Sequence, residues 1–100
     1  MKKIKYNSVA KAIKEINRNN DNDEIRIGIY VTEDDMLTAD LQIEYEEQCI
    51  NISSYEVEVG SIEFWEFFEL VQKKFKNEAE KVKKELEARA YEVKIEAYTC

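Results

Sequence analysis

From Ser61 to Arg89 the apolar positions Phe64, Phe68, Val71, Phe75, Ala79, Val82 and Leu86 recur every three or four residues, with no Gly or Pro among them. That spacing lines one face of a long helix. Ser61 suits the N-cap, because its hydroxyl can accept from a free N–H of the first turn. Glu63 and Glu66 lie toward the positive end of the helix dipole, and Lys83, Lys84 and Arg89 toward the negative end. Trp65, Phe67 and Leu70 fall off the stripe. They predict a helix start buried on several sides or, alternatively, an aromatic patch that docks a partner. From Gln72 onward the stripe narrows to single residues between charges, which predicts a surface helix with one edge down.

The rest of the chain reads as a sheet and a short helix for this face to cover. Lys2 to Tyr6 is a basic lead, an edge strand or a tail. Asn7 or Ser8 can cap a helix to about Arg18, with Val9, Ala12, Ile13 and Ile16 on one face. Asn19 to Asp23 is a polar turn cluster. In Glu24 to Thr32, Ile25, Ile27, Ile29 and Val31 alternate with Arg26, Gly28, Tyr30 and Thr32, the pattern of a half-buried strand. Leu37, Ala39, Leu41, Ile43 and Tyr45 give a second strand between the turns Glu33-Asp34-Asp35 and Glu46-Glu47-Gln48. Such short connections favour antiparallel hairpins. Cys49 to Val59 is a third strand whose apolar phase shifts across Ser53-Ser54, as a β-bulge or a pair of short strands would require. In Ala90 to Thr99, Tyr91, Val93, Ile95 and Ala97 alternate as in a fourth strand, while Ala90, Val93 and Ala97 also continue the helical stripe. The β-branched and aromatic content favours the strand. The expected architecture is a single domain over residues 1–100: α+β, a mostly antiparallel three- to four-stranded sheet covered by one short and one long helix, in the order α-β-β-β-α-β.

A chain of 100 residues can bury one modest core without staples. No apolar run reaches the length of a membrane span, and no apolar segment follows the Lys-rich start as a secretory signal requires. Cys49 and Cys100 make no disulfide framework, and without His no zinc site is completed. The expected location is the cytoplasm, and the Lys, Asn, Ile and Glu-rich composition points to a bacterial or phage genome.

Charge changes the picture more than composition does. The net charge is −7, but residues 1–19 hold six bases and one acid, and residues 72–100 eight bases and six acids. Residues 20–71 hold fifteen acids and one base, Arg26. Acidic turns and outward strand positions serve solubility. They also suit a surface that engages a basic partner, and basic surfaces in cells are chiefly those that handle nucleic acid. Alternate residues of one strand are roughly 6.6 Å apart, whereas duplex DNA carries a charge per ~1.7 Å of axis. Mimicry therefore needs several elements pooled. The candidate partner-binding set is Glu33, Asp34 and Asp35 with Glu46 and Glu47 from the turns, and Asp40, Glu44, Glu56 and Glu58 from the strands.

In size, in the α-βββ-α order over roughly residues 8–80 and in its acid-rich sheet region, the chain resembles the phage-encoded anti-CRISPR inhibitors. The resemblance implies a non-enzymatic protein that occupies the DNA-reading surface of an effector nuclease. The residues themselves offer no cofactor motif, so no cofactor is expected, and the acidic sign of the sheet disfavours direct nucleic-acid binding. Toxin-immunity proteins are a second small acidic class with the same physical logic.

Other chemistry finds less support. Asp21-Asn22-Asp23 opens like a calcium loop, but Arg26 stands where the sixth position needs Gly. The element order also resembles restriction-endonuclease-like nucleases, which need an acid on one strand and an acid-x-Lys on the next to hold Mg²⁺. Asp40 could be the first acid, but Glu56-Val57-Glu58 has Glu in the Lys position, and Glu92-Val93-Lys94 lies on the last strand. Cys49 and Cys100 lack a context that lowers a thiol pKa. The helix from Lys73 to Arg89 is locally +3 with interleaved acids, the pattern of a solvated face. The Trp65, Phe67 and Leu70 patch leaves a structural, oligomeric protein as a further alternative.

Overall fold

The computed structural model describes residues 1–99. Its elements are β1 (Lys2–Lys5), α1 (Val9–Asn19), β2 (Glu24–Glu33), β3 (Met36–Tyr45), β4 (Gln48–Glu58), α2 (Phe64–Glu87) and β5 (Glu92–Thr99). The α+β class is as expected, with one strand more. The basic lead is a strand, and it pairs antiparallel with β4 through Lys2↔Glu56 to Lys5↔Ser53. The sheet has five strands in the order β1-β4-β3-β2-β5. β2, β3 and β4 form the two expected hairpins, and β5 lies parallel to β2 as the opposite edge.

Both helices cover one face. Ile25, Ile27, Ile29 and Val31 of β2 and Leu37, Ala39, Leu41 and Ile43 of β3 are buried against Ala12, Ile13 and Ile16 of α1 and the inner stripe of α2. That stripe is Phe67, Val71, Phe75, Ala79, Val82 and Leu86. It corrects the expected face at its start: Phe67 is fully buried, while Phe64 and Phe68 are half-buried. The two readings share Val71 and Phe75, and only the angle at which the helix meets the sheet decides between them. Trp65 is 59% exposed and packs edge-on against Phe64 and Phe68, so the helix start is not buried on all sides. Replacing Trp65 by Ala is expected to change unfolding free energy by less than about 1 kcal/mol in a urea titration, since an exposed site loses little packing.

The N-cap is Glu63, whose carboxylate accepts from the Glu66 amide, and not Ser61. Gly60 takes a positive φ of 93°, and the Ser61 amide bonds the Glu58 carbonyl, so Ser61 is spent in the turn that lifts the chain off the sheet. At the first helix Ser8, one of the two expected caps, accepts from the Lys11 amide. The irregularity in β4 also falls earlier than Ser53-Ser54. Leu41 pairs with Ser53 and Gln42 with Asn51, which leaves Ile52 as the extra residue. Ile52 and Ser53 are thereby both buried, and the Ser53 hydroxyl donates to Glu78 of α2.

Candidate functional site

Among the described residues, no helix lies over the other face of the sheet. The strand register assembles its side chains into rows. One row runs Ser54, Asp40, Tyr30, Tyr98; a second runs Cys49, Glu44, Arg26, Lys94; a third pairs Lys2, Glu56, Thr38 and Thr32. Asp40 and Glu44 are half-buried here and both are engaged. The Ser54 hydroxyl donates to Asp40, the Tyr30 hydroxyl donates to Glu44, and Arg26 lies 3.9 Å from the same Glu44 carboxylate. Tyr30 lies flat over Gly28, where an added Cβ would stand 2.5 Å from the ring. It stacks on Tyr98 with centroids 5.0 Å apart. Glu56 is half-buried opposite Lys2, and Glu58 is exposed at the strand end.

The acidic turns are exposed but do not adjoin one another. Glu33, Asp34 and Asp35 close the β2–β3 hairpin and share that end of the sheet with Glu58; Glu46 and Glu47 close the β3–β4 hairpin at the opposite end. The ten residues of β3 separate the two turns, roughly 30 Å at the rise of a strand. The Glu46 carboxylate also accepts from the Asp21 amide, which draws the α1–β2 loop to that end. There a shallow depression of about 440 Å³ is lined by Glu24, Arg26, Glu44, Glu46, Glu47 and Cys49 among others. The nine anticipated acids thus form one side of the molecule and its two ends rather than a compact patch.

Counting that side with its end turns gives fourteen acids (Asp21, Asp23, Glu24, Glu33, Asp34, Asp35, Asp40, Glu44, Glu46, Glu47, Glu56, Glu58, Glu92 and Glu96) against Lys2, Arg26 and Lys94, a balance of −11. The helical layer, with Lys3 and Lys5 of β1, carries the remaining twelve bases and eight acids, +4. Seven of these acids stand on the open face itself, against the three bases, and the other seven lie in the end turns, so the negative excess is on that face and at the two ends of the sheet; Glu63, Glu66 and Glu69 make the start of α2 acidic as well. Tyr30, Tyr98 and the acids of β5 complete the open face. The alternation in each strand marks them as outward, but only the parallel placement of β5 beside β2 brings Glu96 and Tyr98 next to Gly28 and Tyr30.

The phenols report this environment. Burial, then the hydrogen bond to Glu44, raises the Tyr30 pKa above its ordinary 10.0. The hydrogen bond to Glu96, then burial, raises that of Tyr98. Burial raises that of Tyr45. A folded-state pKa above the unfolded value means that the neutral phenol stabilises the fold below about pH 10 and that this contribution is lost as pH rises through the shifted pKa. In an ultraviolet tyrosinate titration these three of the six tyrosines are expected to ionise late. Glu44→Gln is expected to bring Tyr30 back toward the ordinary range; an unchanged Tyr30 titration would show that the Glu44 carboxylate does not hold it.

Nuclease chemistry would need Asp40, Glu56 and Glu58 gathered on one ion. Asp40 instead faces Ser54, Glu56 faces Thr38 and Glu58 faces Met36, on alternate rungs of the ladder. Among the described residues, no three Asp, Glu, Cys or His side chains are grouped closely enough to hold a metal. Asp21-Asn22-Asp23 is a turn closed on itself, with the Asn22 amide donating to Asn20 and the Glu24 amide to Asn22. Among the described residues, no helix is long and apolar enough to cross a membrane. Comparison of the chain with protein-family models, with curated proteins and with solved structures finds no match in any of the three.

Proposed function

We propose that the chain is a non-enzymatic inhibitor that lays its open sheet face and end turns on a basic, nucleic-acid-handling surface of another protein, in the manner of the anti-CRISPR inhibitors it resembles. The observation that carries this reading is the distribution of charge: −11 on the open face and the end turns together, against +4 on the rest of the molecule. Solubility asks only for a net charge and an interspersed surface; it does not ask for the negative excess to be gathered on one face and its two ends. A one-sided field steers an encounter and orients the face that arrives.

The two acidic ends, with the partly neutralised centre between them, suit a cleft about 30 Å long lined by Lys and Arg. Inside a cell, such a cleft belongs to a protein that holds a stretch of duplex or heteroduplex. Asp40 and Glu44 sit deeper, tied to Ser54 and Tyr30, and present a fixed acceptor surface rather than free charges.

The test is binding to a panel of bacterial nucleases with basic clefts, RNA-guided effectors included, at low and at high salt, with and without their nucleic acid. The expected result is capture of at least one member, weakened steeply by salt and abolished by prior loading of its nucleic acid. Binding indifferent to salt and to the nucleic acid, or no binding across the panel, would overturn the reading.

A further inference from the structure

The two edges of the sheet are built differently. β1 is four residues long and three of them are Lys, so a strand arriving there meets like charges. β5 is eight residues long, without Pro or Gly, and its charges alternate in sign: Glu92, Lys94, Glu96. The Glu92 amide donates to the Asp23 carbonyl on the β2 side. Backbone groups alternate along a strand, so Glu92, Lys94, Glu96 and Tyr98 are turned toward β2. The N–H and C=O groups of Val93, Ile95 and Ala97 are turned outward along the open edge.

We infer that this edge receives a second copy of itself, β5 against β5 antiparallel about a two-fold axis at Ile95, to give a dimer with one continuous ten-stranded sheet.

Three features select that register. Pairing Ile95 with Ile95 of the second copy makes a hydrogen-bonded pair, and Val93 with Ala97 makes another on each side of it, so all the outward groups named above are used. Lys94 then stands opposite Glu96, twice by symmetry, in the non-hydrogen-bonded positions where facing side chains are closest. Centring the axis on Lys94 or on Glu96 would instead place like charges face to face. The third feature is on the helical side. Ile95 is 36% exposed in a strand whose other inward residues are more covered, and it borders a groove of about 200 Å³ with Ala97 and with Gln72, Lys76 and Glu80 of α2. The two-fold closes this groove with its own counterpart. Ile95 meets Ile95, and the antiparallel α2 helices bring Lys76 toward Glu80, again as opposite charges.

The seam is small, which places the dimer at the weak, concentration-dependent end of protein association. The open acidic face lies on the other side of the sheet and stays uncovered, so the inference stands or falls separately from the proposed inhibitor.

The experiment is sedimentation velocity over a concentration series with three proteins. Wild type is expected to dimerise. Lys94→Glu and Glu96→Lys each place like charges across both symmetric pairs and are expected to weaken dimerisation about tenfold or more. An equimolar mixture of the two variants is expected to recover it, because in the mixed pair both acids of the Lys94→Glu protein, at 94 and 96, face both lysines of the Glu96→Lys protein, at 96 and 94. In wild type alone, the amides of Val93, Ile95 and Ala97 are expected to exchange more slowly as concentration rises, while those of β1 do not change; this readout needs no variant to fold. A monomeric wild type at every concentration would overturn the inference. So would a dimer unmoved by either variant, or one whose protection falls elsewhere.

Discussion

Phe75→Ala is expected to cost about 3–5 kcal/mol of unfolding free energy, the range for emptying an aromatic site in a core. Phe75 is fully buried at the middle of the inner stripe of α2, and its ring lies 5.0 Å from that of Tyr55 on β4. Tyr55 in turn is covered from outside by Lys3 and Lys74, each with its ammonium 5.4 Å from the ring. Truncation at Phe75 therefore opens a cavity below a ring that the two lysines hold in place, and little can collapse into it. A domain of this length has about 5–15 kcal/mol to lose. At about 4–8 °C per kcal/mol, thermal unfolding followed by circular dichroism at fixed protein concentration should move down by at least about 12 °C. Phe75→Leu, which keeps most of the volume, should lose less than half as much. A Phe75→Ala protein melting within about 4 °C of wild type would mean that α2 is not seated on the sheet by this residue.

The same residue shows what periodicity can and cannot deliver. The spacing through Val71, Phe75, Ala79, Val82 and Leu86 sets the phase of α2 over about four turns, and the burial follows it. At the first turns two phases are compatible with that run, one through Phe64 and Phe68 and one through Phe67. The sheet chooses the second because Gly60 and the Ser61 turn lead the chain into the helix at Phe64, with Trp65 directed outward. β1 escapes the pattern for another reason. Four residues with three lysines carry no alternation, and the strand exists because the edge of β4 offers it a register.

The bulge was visible as a shift of phase, but the shift names only an interval; the ladder places the extra residue at Ile52 because Leu41 holds Ser53. The direction of β5 has no signature in its own residues either. It follows from length: a 24-residue helix spans about 36 Å, enough to return the chain along the whole of a ten-residue strand, so the strand after it starts where β2 starts.

The candidate site was legible in the same partial way. Every outward acid of β3 and β4 was marked by alternation. That the two acidic turns must lie at opposite ends also follows from the sequence, since they close the two hairpins at either end of β3. What could not be read was the contribution of β5, which depends on pairing between strands far apart in the chain, and the engagement of Asp40 and Glu44 by Ser54 and Tyr30, which depends on the residue-by-residue register of the two hairpins.

That geometry sets the second large effect. The five turn acids Glu33, Asp34, Asp35, Glu46 and Glu47 are exposed and lie outside the core, so reversing all of them to Lys should lower the melting temperature only by the small amount that losing the exposed bond from the Asp21 amide to Glu46 costs. It changes the combined charge of the open face and the end turns by ten units, from −11 to −1. Against a basic partner captured as proposed, affinity is expected to fall by about a hundredfold or more at low salt, chiefly through slower association, and the salt dependence should flatten with it. The matching change on the helical layer, Lys73, Lys76, Lys81, Lys83 and Lys84 to Glu, alters the net charge by as much in the other direction and should not weaken binding. That control separates an oriented face from bulk charge. If net charge alone governed capture, the two variants would shift affinity by similar amounts in opposite senses. If the face governs it, the turn variant fails and the helix variant binds as wild type does. Stopped-flow association at two ionic strengths reads the difference directly, and equal retention of binding by both variants would remove the electrostatic basis of the proposed function.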